Sequence, residues 1–306
     1  MNSYPPKIVI EEQGLRDGLQ NEKPIIPTDK KLELVEAVAD AGLKRIEVTS
    51  FVHPELVPQM ADAEDICRGL DHSRDVLYSA LVLNTKGLER AANAGLKHVA
   101  ASISASDTHS RKNTNASLSE ARKRIAEMIK VGQKHGLTIR GGLQCAFGCR
   151  FEGRIDPSVV FDMIKEQLDL GIDEVVLADS TGMANPISIQ EISAKVIELS
   201  EGKPVFLHLH DTEGKGLANA LAAMQVGVAH FDTAFGGMGG CPFIKGASGN
   251  TSTEDMVFMS GQMGIETGVD IEKIAVISRY LEEFFSKQFA GKMHRVINRE
   301  DIQIVR

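Results

Sequence analysis

Tryptophan is absent from the 306 residues, and tyrosine occurs only three times and cysteine four. The four cysteines, Cys67, Cys145, Cys149 and Cys241, show neither zinc-ribbon nor CxxC spacing, so free thiols in a reducing compartment are the expectation. No apolar run approaches the roughly 20 residues that a bilayer-spanning helix needs. Basic residues are not in excess either. With 34 Lys and Arg against 42 Asp and Glu, the net charge is −8, which argues against a nucleic-acid or anionic-membrane surface. The opening MNSYPPKIVI has no apolar signal core and the closing DIQIVR no lipidation or peroxisomal pattern, so a cytoplasmic protein is expected. What is present, 42% hydrophobic and 25% charged residues, suits a folded chain without disordered tracts.

The chain alternates short apolar strands with amphipathic helices. KIVIEE (7–12), KRIEVTS (44–50), DVLYSALV (75–82), KHVAASISAS (97–106), LTIRGGLQCA (137–146), DEVVLADS (173–180), PVFLHLHD (204–211) and AHFDTAF (229–235) are the expected strands. Between and after them, helices are expected near 28–41, in PQMADAEDICRGL and KGLERAANAG, near 117–135, 187–199 and 216–226, from 252 onward, and in DPSVVFDMIKEQLDLG, with Pro157 in its first turn and Gly171 at its C-terminus. Such alternation predicts a parallel sheet wrapped by helices. Eight units in about 250 residues fit a (β/α)8 TIM barrel. EEQGLRDGLQ after the first strand is not the glycine-rich phosphate turn of a doubly wound sheet. The expectation is one catalytic domain, with the barrel over about 7–265 and additional C-terminal helices over about 270–306.

In such a barrel, polar residues at the C-terminal ends of the strands are the active-site candidates. They are Arg16 and Asp17 after the first strand, Glu47 and Ser50 on the second, Arg140 on the fifth, Asp179 on the sixth, and His208, His210 and Asp211 ending the seventh. Residues two apart on a strand share a face, so His208 and His210 are expected to project together into the barrel mouth. Sharing a divalent cation relieves the repulsion that two protonated imidazoles would suffer there. Asp17 adds an anionic oxygen and Asn250 a neutral one. Each also has a plainer reading, Asp17 as a turn residue before glycine and Asn250 as a helix N-cap. A mixed N/O set without thiolate favours Mg²⁺, Mn²⁺ or Co²⁺ with open positions over a closed structural Zn²⁺ site. The glycine-rich stretch GGMGGCPFIKGASGN (236–250) presents Cys241 on a loop suited to closing over a ligand, whereas Cys145 and Cys149 read as packing residues.

Taken together, RDGLQNEK (16–23), EVTSFVHPELVPQMADA (47–63), RKNTN (111–115), CAFGCRFEG (145–153), HLHDTEGKGLANAL (208–221) and GGMGGCPFIKGASGNTSTEDMVFM (236–259) resemble the 3-hydroxy-3-methylglutaryl-CoA lyase family from about residue 7 to 272. That resemblance implies metal ligation by Asp17, His208, His210 and Asn250, with Mg²⁺ or Mn²⁺ bound and Co²⁺ or Zn²⁺ as substitutes. It implies that Arg16 lies beside the substrate carbonyl and that Cys241 is the catalytic loop thiol. Glu47, Asp179 and Glu254 take acid–base or supporting places, and Lys23 and Asn113 lie near the substrate or its CoA portion. Gln20, Ser50 and Arg140 complete the expected substrate-binding set. The implied reaction is retro-Claisen cleavage of an acyl-CoA in leucine degradation and ketone-body formation, by a homodimer. A Claisen-condensing acyltransferase of the isopropylmalate or homocitrate synthase kind, and a catalytically silent barrel, are the alternatives. The stretch HDTEGKG carries Glu213 and Lys215 where the family shows a tyrosine and a glutamine.

Overall fold

The computed structural model describes residues 4–240 and 249–297. Its strands are β1 (Val9–Glu12), β2 (Arg45–Ser50), β3 (Leu77–Leu81), β4 (His98–Ser104), β5 (Thr138–Gln144), β6 (Glu174–Asp179), β7 (Val205–Leu209) and β8 (His230–Thr233). They close in sequence order into a barrel, each parallel to the next and β8 parallel to β1. The helices are α1 (Thr28–Asp40), α2 (Ala63–Gly69), α3 (Thr85–Asn93), α4 (Asp107–Thr114), α5 (Leu118–Lys134), α6 (Pro157–Asp169), α7 (Pro186–Leu199), α8 (Gly216–Gln225), α9 (Thr253–Gln262), α10 (Ile271–Phe285) and α11 (Met293–Val296). The expected (β/α)8 TIM barrel with C-terminal helices is therefore what the chain forms, and no described helix is long and apolar enough to cross a membrane.

Local signals explain where the helices start. Ser117 and Glu120 form a reciprocal capping box at α5, Asn185 accepts the Ile187 and Ser188 N–H groups ahead of Pro186, and Asp156 caps α6 before Pro157. One helix has no counterpart in the sequence reading. α4, DTHSRKNT, lacks an apolar stripe and is defined by its ends, the Ser106 side chain accepting His109 N–H and Asn115 in the left-handed region at φ 49°. It brings RKNTN (111–115) over the barrel mouth.

Parallel strands covered by helices ordinarily present apolar residues on both faces. This barrel instead holds an ionic lattice at its centre. Arg45 bonds Glu11 through Nε at 2.7 Å and Glu174 through both Nη atoms at 2.9 and 2.6 Å. Arg140 reaches Asp232 at 2.8 Å and Glu11 at 3.3 Å, and His98 lies 3.1 Å from Glu174. Burial alone would raise the Glu11 and Glu174 carboxyls. The arginines and His98 outweigh it and hold both far below the usual range, Glu174 at about 2.

Groups with depressed folded values contribute stability above their unfolded value that is lost as pH falls through the folded one. Wild-type stability should therefore decline between pH 4.5, the ordinary carboxylate value, and about 2. Replacing Arg45 with methionine leaves Glu11 to Arg140 and Glu174 to His98, stripping each buried carboxylate of its shortest ion pair, and should cost about 3–5 kcal/mol. Chemical denaturation at pH 7 measures it, and an unchanged midpoint would show that the lattice does not stabilise the fold.

Candidate active site

The two histidines of HLHD reach the barrel mouth as alternation requires. β7 ends at Leu209, and just beyond it the backbone of His210 bridges that of Asn250. Asp211 N–H donates to Gly249 carbonyl and Thr251 N–H to Leu209 carbonyl, so the returning chain lies against the end of β7 and delivers Asn250 beside His210. Asp17 arrives from the other side on a five-residue π-helical turn, Gly14–Gly18, at the end of β1. Gly239 lies against both, at φ +104°. A Cβ there would fall 2.5 Å from the Asn250 amide nitrogen and 3.1 Å from Asp17 Oδ2, so this position of the glycine-rich stretch admits no side chain.

Among the described residues, Asp17, His208 and His210 form a group whose ligand atoms converge. His208 Nε2 and His210 Nε2 are 3.1 Å apart, and Asp17 Oδ2 lies 3.9 and 3.8 Å from them. Two nitrogens about 2.1 Å from one ion and near a right angle to each other would be about 3 Å apart. The Asn250 amide nitrogen donates to Asp17 Oδ2 at 2.7 Å and to Met238 carbonyl at 2.9 Å, leaving its buried Oδ1 without a hydrogen bond. Two imidazoles, a carboxylate and an orphaned amide oxygen thus suit a hard or borderline divalent cation. The electrostatics agree. Burial would raise Asp17, but Arg16, the two histidines and the Asn250 amide outweigh it and hold the carboxyl well below its ordinary value. Burial, with His208 beside it, lowers His210 to about 4, which keeps that imidazole neutral at pH 7.

Arg16 stands next to this group and is only 9% exposed. Its Nε donates to Glu47 Oε2, Nη1 to Asp17 Oδ1 at 2.5 Å and Nη2 to Gln13 Oε1 at 3.0 Å. Those three bonds use three of the five guanidinium N–H groups and leave two for a ligand. Glu47 is fully buried, and burial raises its carboxyl against the pull of Arg16 and Arg140. A cavity of about 520 Å³ opens above, lined by Arg16, Asp17, Gln20, Glu47, His208 and His210 on one side. Lys112, Asn113 and Arg124 line it toward the mouth, with aliphatic walls from Leu81, Ala100 and Val176.

Other candidates fall elsewhere. Asp179 is wholly buried and does not line the cavity, although its neighbours Ala178 and Ser180 do. Its two oxygens accept the N–H groups of Met183 and Ala184, so it fastens the β6–α7 turn, while burial lifts its carboxyl to about 6. Glu254 is also wholly buried, accepting from Gly236 N–H and from the Ser252 and Ser278 hydroxyls; it ties α9 to α10. Arg140, unlike these, does line the cavity, but from deep in the barrel: it is the third residue of β5, 2% exposed, with its charge committed to carboxylates. Ser50, beyond a bulge in β2, is buried off the cavity, and Lys23 is an exposed residue outside its lining. Glu213 pairs with Arg150 at 2.5 Å and Lys215 at 2.8 Å, joining two rim loops away from the lining. Cys241 lies outside the described residues. Sequence reasoning passed over Asp232, which lines the cavity and touches His208; its register partner on β7 is His208 itself, and that pairing was the available signal.

Residues 7–281 match the family described as HMGL-like. The chain is 40% identical over 289 residues to the hydroxymethylglutaryl-CoA lyase YngG of Bacillus subtilis (strain 168), covering 94% of this chain and 97% of that one. It is 43% identical over 289 residues to the cytoplasmic 3-hydroxy-3-methylglutaryl-CoA lyase of Danio rerio, covering 94% and 86%. Among solved structures, an HMG-CoA lyase of A. baumannii in complex with coenzyme A and 3-methylmalate superposes with a TM-score of 0.92 at 37% identity, covering 98% of each chain.

Proposed function

This chain belongs to the HMGL-like family, and from that premise we propose that it is a carbon–carbon lyase cleaving 3-hydroxy-3-methylglutaryl-CoA to acetyl-CoA and acetoacetate. The observation that carries the reading is the meeting of Asp17, His208 and His210 beside Arg16 at the floor of a roomy cavity. Its likeness to a relative solved with coenzyme A supports an acyl-CoA as the substrate class.

A divalent ion, Mg²⁺ or Mn²⁺, held by Asp17, His208, His210 and Asn250, would supply Lewis acidity toward the substrate's tertiary hydroxyl. The rest is the work of the chain's own side chains. Of the carboxylates lining the cavity, Asp17 belongs to the ion and Asp232 is bonded through both oxygens, whereas Glu47 Oε1 makes no hydrogen bond. Glu47, its carboxyl raised by burial, is assigned as the base that takes the hydroxyl proton. The C2–C3 bond then breaks, the C3 oxygen becomes the ketone of acetoacetate, and the bonding pair passes into a thioester enolate. Arg16, which keeps its charge throughout, stabilises the enolate oxygen with its two remaining N–H groups. The Cys241 thiol gives its proton to the enolate carbon, and the proton held on Glu47 restores the thiol.

Cys241→Ala should lower kcat by roughly a hundredfold, the scale of a lost acid–base group. Wild-type turnover in that variant would remove the thiol from the mechanism. The reading itself is tested by mass spectrometry of the products from 3-hydroxy-3-methylglutaryl-CoA, in parallel with acetyl-CoA and a panel of 2-keto acids. Acetoacetate from the first is expected; free CoA from the second alone would make the protein a condensing enzyme. A single catalytic domain, a homodimer in solution and a cytoplasmic location complete the proposal, the dimer being open to light scattering.

A further inference from the structure

We propose that Asp232 is the positioning residue that presets His208 for the divalent ion, with Arg140 as its anchor; the inference rests on the metal-dependent reading above. Barrel register sets the contact. His208 and Asp232 are direct partners across β7 and β8, and both side chains face the barrel interior. Asp232 Oδ2 lies 3.2 Å from His208 Nδ1, and Asp232 Oδ1 accepts from Arg140 Nη1 at 2.8 Å. The carboxylate therefore cannot swing away from the imidazole without leaving a buried guanidinium.

A neutral imidazole has one N–H, and the carboxylate at Nδ1 keeps it there. The Nε2 lone pair is then bare and directed toward His210 Nε2 and Asp17. His210 has no such device, because its buried Nδ1 makes no hydrogen bond. Of the two imidazoles, then, His208 is held in its ligating tautomer before any ion arrives. A carboxylate behind a ligating histidine typically changes metal affinity by about 10–100-fold.

The plainer role for Asp232 is as a counter-ion to Arg140, and the test separates the two. Asp232→Asn preserves shape and can still accept from Arg140, but its NH₂ group opposes an N–H at Nδ1 and favours the wrong tautomer. Mn²⁺ titration by calorimetry should show affinity about 10–100-fold weaker than wild type, with the KM for the acyl-CoA at saturating Mn²⁺ nearly unaltered; a counter-ion role alone would lower the thermal midpoint and leave the Mn²⁺ affinity at its wild-type value. On the wild-type protein stripped of metal, ¹⁵N-histidine NMR should place the His208 proton on Nδ1, a readout that needs no variant. Wild-type Mn²⁺ affinity in Asp232→Asn, or a His208 proton on Nε2, overturns the inference and leaves the lyase reading standing. A wild-type protein that binds no Mn²⁺ overturns both.

Discussion

Replacing Arg16 with glutamine is expected to lower kcat by roughly a thousandfold, the upper range for removing one preorganised donor from a developing oxyanion. The effect should be large because the guanidinium does two things at once. It supplies the only fixed positive charge in direct contact with both Asp17 and Glu47 among the described residues, and it is buried where few solvent dipoles can replace it. Burial would otherwise raise Asp17, and Arg16 is the strongest influence holding that carboxyl down. Its loss therefore weakens the ion site as well as the enolate. Measuring Mn²⁺ affinity alongside steady-state kinetics separates these effects: at saturating Mn²⁺ the kcat deficit should persist. Arg16→Lys retains charge but not the fork that bonds three acceptors, and should recover only part of the rate. A kcat for Arg16→Gln within tenfold of wild type would exclude Arg16 from the chemistry.

The second large effect is expected from Asp17→Ala. The substitution removes the one anionic ligand and also strips the Asn250 amide nitrogen of its 2.7 Å partner. Metal content, measured by plasma mass spectrometry after dialysis, should fall from about one ion per chain to near none. Turnover should fall by more than about a hundredfold, since loss of an outer partner alone can cost that much. His208 and His210 would then face each other across 3.1 Å with no cation between them, and must share a proton instead. Full metal content in Asp17→Ala would show that the carboxylate is not a ligand.

Much of this site was legible because strand geometry is simple. The period of two places His208 and His210 on one face, and the end of a barrel strand is where such residues gather. The same rule applied without register goes astray. Asp179 ends β6 as expected, yet Ala178 and Ser180 are the neighbours that line the cavity, and the acid turns instead to the Met183 and Ala184 N–H groups. Grouping Arg140 with the strand-end residues overlooks that the expected strand runs on to 146; as the third residue of β5 it sits mid-strand among carboxylates and meets the cavity from below.

Asp232, Glu11, Arg45 and Glu174 escaped notice for a common reason. Each lies on a strand whose sequence shows no partner for it, because the partner stands on another strand distant in sequence. Only barrel closure, which sets β8 against β1, reveals that the charges compensate one another. Helix α4 was hidden differently, because caps rather than a hydrophobic period define it.

Cleavage of the thioester-linked carbon chain should depend on the divalent ion. The purified protein, stripped with chelator and given 3-hydroxy-3-methylglutaryl-CoA, should form no acetoacetate, and addition of Mg²⁺ or Mn²⁺ should restore equimolar acetoacetate and acetyl-CoA. Cleavage at the same rate before and after stripping, or none with either ion present, would contradict it.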